Sequence, residues 1–180
     1  WYVLLISFIG LGIFNGVTTW VENIIRPRGF LPTDAGTLGA LMIVGGVIGA
    51  VVIPALSDKQ HMRQKYLVIA FAGATPGLIG LTFATPSVLL FLSAFVMGFF
   101  LVSAMPISMQ YAAEVTYPTP EGTSNSLIQL FGQAAVVFVY VMEAMKTPDG
   151  SFTPSLLLAL GLMLFSLVFI SQMKDVPNLE

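Results

Sequence analysis

The side chains able to do chemistry here fall into a neutral set and a charged set. Asn15, Thr19, Gln110, Gln129 and Gln133 carry amides or a hydroxyl, groups that donate and accept hydrogen bonds without moving protons. Asp58, Arg63, Glu114 and Glu121 carry full charges and could make and break ion pairs. The neutral set is patterned. Gly122, Ser126, Gln129, Gln133 and Tyr140 recur at i, i+4, i+7, i+11 and i+18, one narrow stripe along a helix. Asn15, Thr18, Thr19 and Glu22 share a second face, with Trp20 turned away, and Ser103, Gln110 and Glu114 align on a third. Polar faces on otherwise apolar segments predict a solvated path with hydrogen-bonding walls. The plainer alternative is that each Gln bonds to a neighbouring helix, worth about 0.6–2 kcal/mol.

Catalytic constellations are missing from this inventory. There is no H-E-x-x-H, G-x-S-x-G or phosphate-binding loop, no cysteine, and one histidine, His61. No nucleophile–base pair, metal site or cofactor is therefore expected, and an intramembrane enzyme is disfavoured. Glu114 and Glu121 read as helix-end residues rather than as a paired acid and base.

The elements that must position these groups follow from composition. Of 180 residues 56% are hydrophobic and 9% charged, with mean hydropathy +0.89. A soluble domain needs about 25% charged residues to cover its surface, so the lipid bilayer is the first expected partner. A net charge of -2 without a basic stripe argues against nucleic acid. A spanning helix takes about 20 apolar residues, which divides the chain into spans at 1–25, 35–53, 66–83, 87–111, 121–144 and 154–173. Thr85-Pro86, Thr119-Pro120 and Thr153-Pro154 suggest a hydroxyl N-cap with proline at the first helical position, and Thr33-Asp34 suggests a similar start. Gly12/Gly16, Gly45/Gly49 and Gly73/Gly77 are small-residue notches for close helix contact. Pro76 and Pro106 should kink their spans. The third and sixth spans carry little beyond Ser and Thr and should face lipid. Lys59, Arg63 and Lys65 place the 54–65 connection, and by alternation the C-terminus, on the cytoplasmic side.

Two stretches resemble a known family. Gly45-Gly46-Val47-Ile48-Gly49 leads into Pro54-Ala55-Leu56-Ser57-Asp58-Lys59-Gln60-His61-Met62-Arg63-Gln64-Lys65. That resembles the cytoplasmic signature loop of the major facilitator superfamily, in its C-terminal-half copy, with Pro54 in place of the usual glycine. Tyr111-Ala112-Ala113-Glu114-Val115-Thr116-Tyr117-Pro118-Thr119-Pro120-Glu121-Gly122-Thr123-Ser124 is similar to the feline leukaemia virus subgroup C receptor branch, which is associated with haem export and with choline or ethanolamine transport. The resemblance implies an all-α membrane protein whose six helices form one half, two inverted three-helix repeats, of a major facilitator fold. The whole of 1–180 would be the C-terminal six-helix bundle, with the N-terminal half upstream of Trp1. Asn15 stands where animal members more often carry an aromatic residue, and no side chain is placed as an axial ligand for haem.

The resulting expectation is a transporter, secondary-active or facilitative, that moves a small polar or amphipathic solute across the cell membrane by alternating access. Asn15, Thr19, Gln110, Gln129 and Gln133 would bind it; Asp58, Arg63, Glu114 and Glu121 would form the cytoplasmic gate. The rival is a six-helix membrane scaffold that binds a partner protein and transports nothing.

Overall fold

The computed structural model describes residues 1–174; the sequence placed at 175–180, on which part of the C-terminal expectation falls, lies outside the described residues. Among the described residues the chain is all helix and turn. The helices are α1 (Tyr2–Ile25), α2 (Pro32–Gln60), α3 (Arg63–Phe83), α4 (Ser87–Val115), α5 (Glu121–Ala134), α6 (Val137–Ala144) and α7 (Thr153–Gln172), with a 3-10 turn over Arg26–Arg28. With α5 and α6 taken together, six segments are long and apolar enough to cross a membrane. Successive segments alternate in direction. The starts of α1, α3 and α5 and the ends of α2, α4 and α7 therefore share one end of the bundle, here the Arg63 end; the Arg28 end is opposite.

Helix boundaries correct several expectations. The 54–65 connection is mostly helix: α2 continues through Pro54 to Gln60, leaving only His61 and Met62 between it and α3. His61 ends α2 in the left-handed region at φ 52°, which lets α3 start at once. The threonines before Pro86 and Pro120 do not cap. The prolines themselves are the N-caps of α4 and α5, with extended backbone at ψ 132°, because a proline ring fits that φ as well as a helical one. At α2 the N-cap is Leu31, whose N–H donates to Asp34 Oδ2 at 2.9 Å; Thr33 has no capping role. The α7 start is fixed by Ser151, whose Oγ accepts from the Thr153 N–H at 3.2 Å.

The fifth span is not one helix. At Ala135–Val136 the bonding pattern shortens, with Phe138 N–H donating to the Ala135 carbonyl and Val139 N–H to the Val136 carbonyl, each at 3.0 Å. No proline causes this. Val136, Val137 and Val139 are β-branched and lose rotamer freedom in a helix, and Trp20 of α1 donates its indole Nε1 to the Val139 carbonyl at 3.0 Å. The Trp20 ring also stacks on Phe152, centroids 5.2 Å apart. It is turned into the bundle, away from the exposed Thr19.

Packing centres on α4, which lies between α2 and α3 and also touches α1 and α5. Backbones meet directly there. A Cβ built on Gly45 would lie 2.5 Å from the Phe95 carbonyl oxygen, and one on Gly77 2.6 Å from the Met97 nitrogen. Cβ atoms on Gly49 and Gly98 would enter the carbonyls of Phe99 and Met42. Gly73 accepts the Phe100 ring, while Gly12 and Gly16 accept Phe138 and Met142 of α6. All three notches are thus helix contacts. Apolar faces of α3 (Ile69, Ile79, Phe83) and α7 (Leu157, Leu164, Val168) are exposed, but so is one of α2 (Ile43, Val47, Val51). The α3 helix is also the most buried of the six spans, so exposure does not single out the third and sixth spans. At the Arg28 end, the Arg28 guanidinium donates to the carbonyls of Leu81 (2.5 Å) and Ala84 (2.7 Å), satisfying groups that the end of α3 leaves free.

Gly49→Ala should destabilise the protein by about 1–3 kcal/mol, the cost of overpacking. Gly36→Ala, whose new Cβ meets open space within α2, should leave stability unchanged or raise it by up to about 1 kcal/mol. Thermal unfolding of both variants in detergent checks the contrast.

Candidate functional site

Three helix ends bring the charged residues together. Asp58 lies in the last turn of α2, Glu114 in the last turn of α4, and Arg63 opens α3. Each charge sits at the end of its own helix where the dipole disfavours it: a cation at a positive N-terminus, carboxylates at negative C-termini. Together they reverse that penalty. Arg63 donates through Nε (3.1 Å) and Nη2 (2.8 Å) to Glu114 Oε1, and through Nη1 to Asp58 Oδ1 and to Ser57 Oγ at 3.2 Å. Arg63 is only 5% exposed and Ser57 fully buried, whereas the Asp58 and Glu114 side chains keep 62% and 29% of their surface. One buried guanidinium thus clasps two helices through carboxylates that still reach water. Beside the clasp, Gln64 donates to the Ile170 and Ser171 carbonyls, each at 3.0 Å, tying α7 to the same end.

The expected site residues divide between this clasp and two depressions. Gln110, expected in the pocket, instead donates Nε2 to Glu114 Oε1 at 3.2 Å and belongs with the charges. Glu121 is exposed at the start of α5 and stands outside the clasp. Glu114, read from sequence as a helix-end residue and grouped with Asp58 and Arg63, joins both of them in the clasp. Asn15 lines a cavity of about 200 Å³ between α1, α3 and α4, walled by Ile6, Ser7, Phe14, Phe71, Leu101 and Met105 among others. Gln129 and Gln133 line a separate, more open groove between α4 and α5 with Met109, Asn125 and Ser126. Met105 lines the cavity and Met109, one turn on along α4, lines the groove. Thr19 is exposed one turn beyond Asn15, and the structure brings neither depression to it. Ser103, aligned by sequence with the polar face of the fourth span, is buried and bonds back to the Phe100 carbonyl at 2.6 Å.

Sequence reading passed over Ser7, Ser57, Asn125 and Arg28. Stepping back from Asn15 by four and eight residues through Leu11 reaches Ser7, so a helical count was available. Asn125, four residues before Gln129, was open to the same count, whereas Ser57 gave no such signal because it becomes a ligand only when Arg63 of the next helix closes on it.

A family model of the Major Facilitator Superfamily matches residues 1–140. The chain belongs to the major facilitator superfamily. An uncharacterized protein of Archaeoglobus fulgidus is 33% identical over 171 residues, covering 94% of this chain and 77% of that protein. Solute carrier family 49 member A3 of Danio rerio is 32% identical, covering 85% of this chain and 33% of that one. The choline/ethanolamine transporter FLVCR1 of Felis catus is 26% identical, covering 92% of this chain and 32% of that one. This chain spans about a third of the length of these last two relatives. The resemblance to the feline leukaemia virus subgroup C receptor branch, carried in the sequence by the 111–124 stretch, accords with that similarity.

Truncating Arg63 or Glu114 to Ala should each destabilise the Arg63 end, and the double variant should lose less than the sum of the two. A coupling of about 1–3 kcal/mol is expected for residues in one hydrogen-bonded network, read from a double-mutant cycle by thermal unfolding. Glu121→Ala, outside the clasp, should change stability by no more than about 0.5 kcal/mol.

Proposed function

We propose that this chain is the C-terminal six-helix half of a transporter that carries a small polar or amphipathic solute across the cell membrane by alternating access. The observation that carries the reading is the α5 face. Ser126, Gln129 and Gln133 are exposed on a helix meant to span hydrocarbon, where uncovered polar groups are costly. Only 22% of the residues in the spanning window of α5–α6 are buried, against 50% in α3. Such a face calls for water, solute or a second protein surface. In this reading the N-terminal half of the same transporter covers α2 and α5, and the solute passes between the halves.

The roles follow from placement. Asn15, Gln129 and Gln133 hydrogen-bond the solute, with Thr19 and Gln110 at the two mouths of the path. Neutral walls leave coupling to an ion, where there is any, mostly to the other half. Lys59, Arg63 and Lys65 put the Arg63 end in the cytoplasm by the positive-inside rule. There the Asp58–Arg63–Glu114 clasp holds α2, α3 and α4 as one unit while the halves rock, and Glu121, exposed at the start of α5, completes the gate from the opposite half's side. Three relatives are named for choline and ethanolamine, which makes small amino alcohols the first solutes to try.

These 180 residues hold no cysteine, so once any cysteine elsewhere in the protein is replaced the test reads only the introduced thiol. In the full-length protein, Asn15→Cys and Gln133→Cys should each react with a water-soluble thiol reagent in at least one conformational state. Gln133→Ala should raise the KM for uptake about 2–10-fold, one hydrogen bond's worth. No labelling at either position in any state would overturn transport in favour of a dry six-helix scaffold.

A further inference from the structure

Most hydroxyls buried inside these spans are spent on the protein itself. Thr18, Thr75, Thr82, Ser93 and Ser166 each donate to the carbonyl four residues earlier, at 2.6–2.8 Å. Ser103 and Ser155 donate three residues back, and Ser57 accepts from Arg63. In all of these the hydroxyl is spent within the protein, the usual way a membrane helix satisfies Ser or Thr. Ser7 and Ser108, which line one cavity, make no such bond, and Ser7 is the more sharply placed of the two. Ser7 is 5% exposed, its Oγ is fully shielded, and it has no hydrogen-bond partner. Burying a hydroxyl unpaired costs about 1–3 kcal/mol.

The cavity explains where that capacity is directed. Ser7 lines the same space as Asn15, with Phe14, Phe71, Leu101 and Met105 as apolar wall. About 200 Å³ holds roughly six heavy atoms, at the ~30 Å³ that each water occupies in the liquid. None of the lining residues is charged, so a carboxylate or phosphate entering here would find no cation, whereas an ammonium group can donate to the Asn15 amide oxygen and rest near the Phe14 and Phe71 rings. We propose that Ser7 is a specificity contact, reading a hydroxyl or similar uncharged hydrogen-bonding group at one end of the transported solute. The alkyl part of that solute packs on Phe14, Phe71 and Met105, and Asn15 meets its other polar end. The proposal rests on the transport reading and adds a subsite to it, on the Arg63 side of Asn15.

Two measurements on the full-length transporter in vesicles test it. Ser7→Cys should react with 2-aminoethyl methanethiosulfonate at least tenfold faster than Ser93→Cys or Ser166→Cys, whose hydroxyls are turned onto their own helices. No faster reaction at Ser7 would overturn the subsite. For uptake, Ser7→Ala should raise the KM for ethanolamine about 5–10-fold and leave that for ethylamine, which lacks the hydroxyl, within about twofold; Ser7→Thr should restore ethanolamine. Equal effects on the two solutes would overturn the hydroxyl-reading role. Should the unmodified protein move neither solute, the transport reading for amino alcohols fails, and the thiol reaction alone then decides whether this cavity admits a small polar molecule.

Discussion

Close backbone contact along α4 is the constraint on which the rest of this structure depends. Lipid gives helices no hydrophobic reason to associate, because leaving lipid for a Leu-lined interface gains little. What remains is dispersion, which rewards only surfaces that fit within a few tenths of an ångström. Glycines at 45, 49, 77 and 98 remove the side chains that would hold α2 and α3 off α4. With these three helices seated, their ends at one side of the bundle fall close enough for a single guanidinium to reach two of them. Without that seating, Arg63 would be a buried cation at the wrong end of a helix.

The clasp and the glycine seams do different work. Glycine contacts are short-ranged and neutral, so they fix distance but carry no signal. The clasp is ionic and half-wetted: Arg63 is buried, while Asp58 and Glu114 keep access to water. Such a pair can exchange partners at modest cost, since the carboxylates can be resolvated where a fully dry pair could not. At the opposite end Arg28 bonds only to carbonyls, which have no charge to lose, and so acts as a fixed staple. The bundle is thus held by charge-to-carbonyl contacts at one end and by exchangeable ionic contacts at the other, an asymmetry that suits the proposed rocking of the unit as a body.

Neutral walls are the second consequence of burying so few charges. A transport path lined by amides, hydroxyls and thioethers imposes hydrogen-bond geometry but little electrostatic preference. The break between α5 and α6 fits the same economy. Trp20, Phe138 and Met142 hold α6 against α1, while α5, with its Gln and Ser stripe, is covered least.

Sequence alone determined what the bilayer and the helical period enforce. The count of spans, the all-α class, the glycine notches and the alignment of Ser126, Gln129 and Gln133 on one face all follow from local rules: hydrogen bonds closed within each helix, 3.6 residues per turn, about 20 residues across the hydrocarbon. Local rules failed where two elements meet. Threonine caps were expected before Pro86 and Pro120 because N-cap preferences describe an isolated helix start. A loop was expected over 54–65 because charges and a proline read as an exit from the membrane, although an α-helix can carry them past it. Only the tertiary structure decided that Gln110 serves the clasp, that Asn15 and Gln133 belong to separate depressions, and that the Ser7 hydroxyl is shielded without a bond. Those facts depend on which side chain lies within about 3 Å of another chain segment, and helical periodicity fixes a residue's direction around its own axis without fixing what stands opposite.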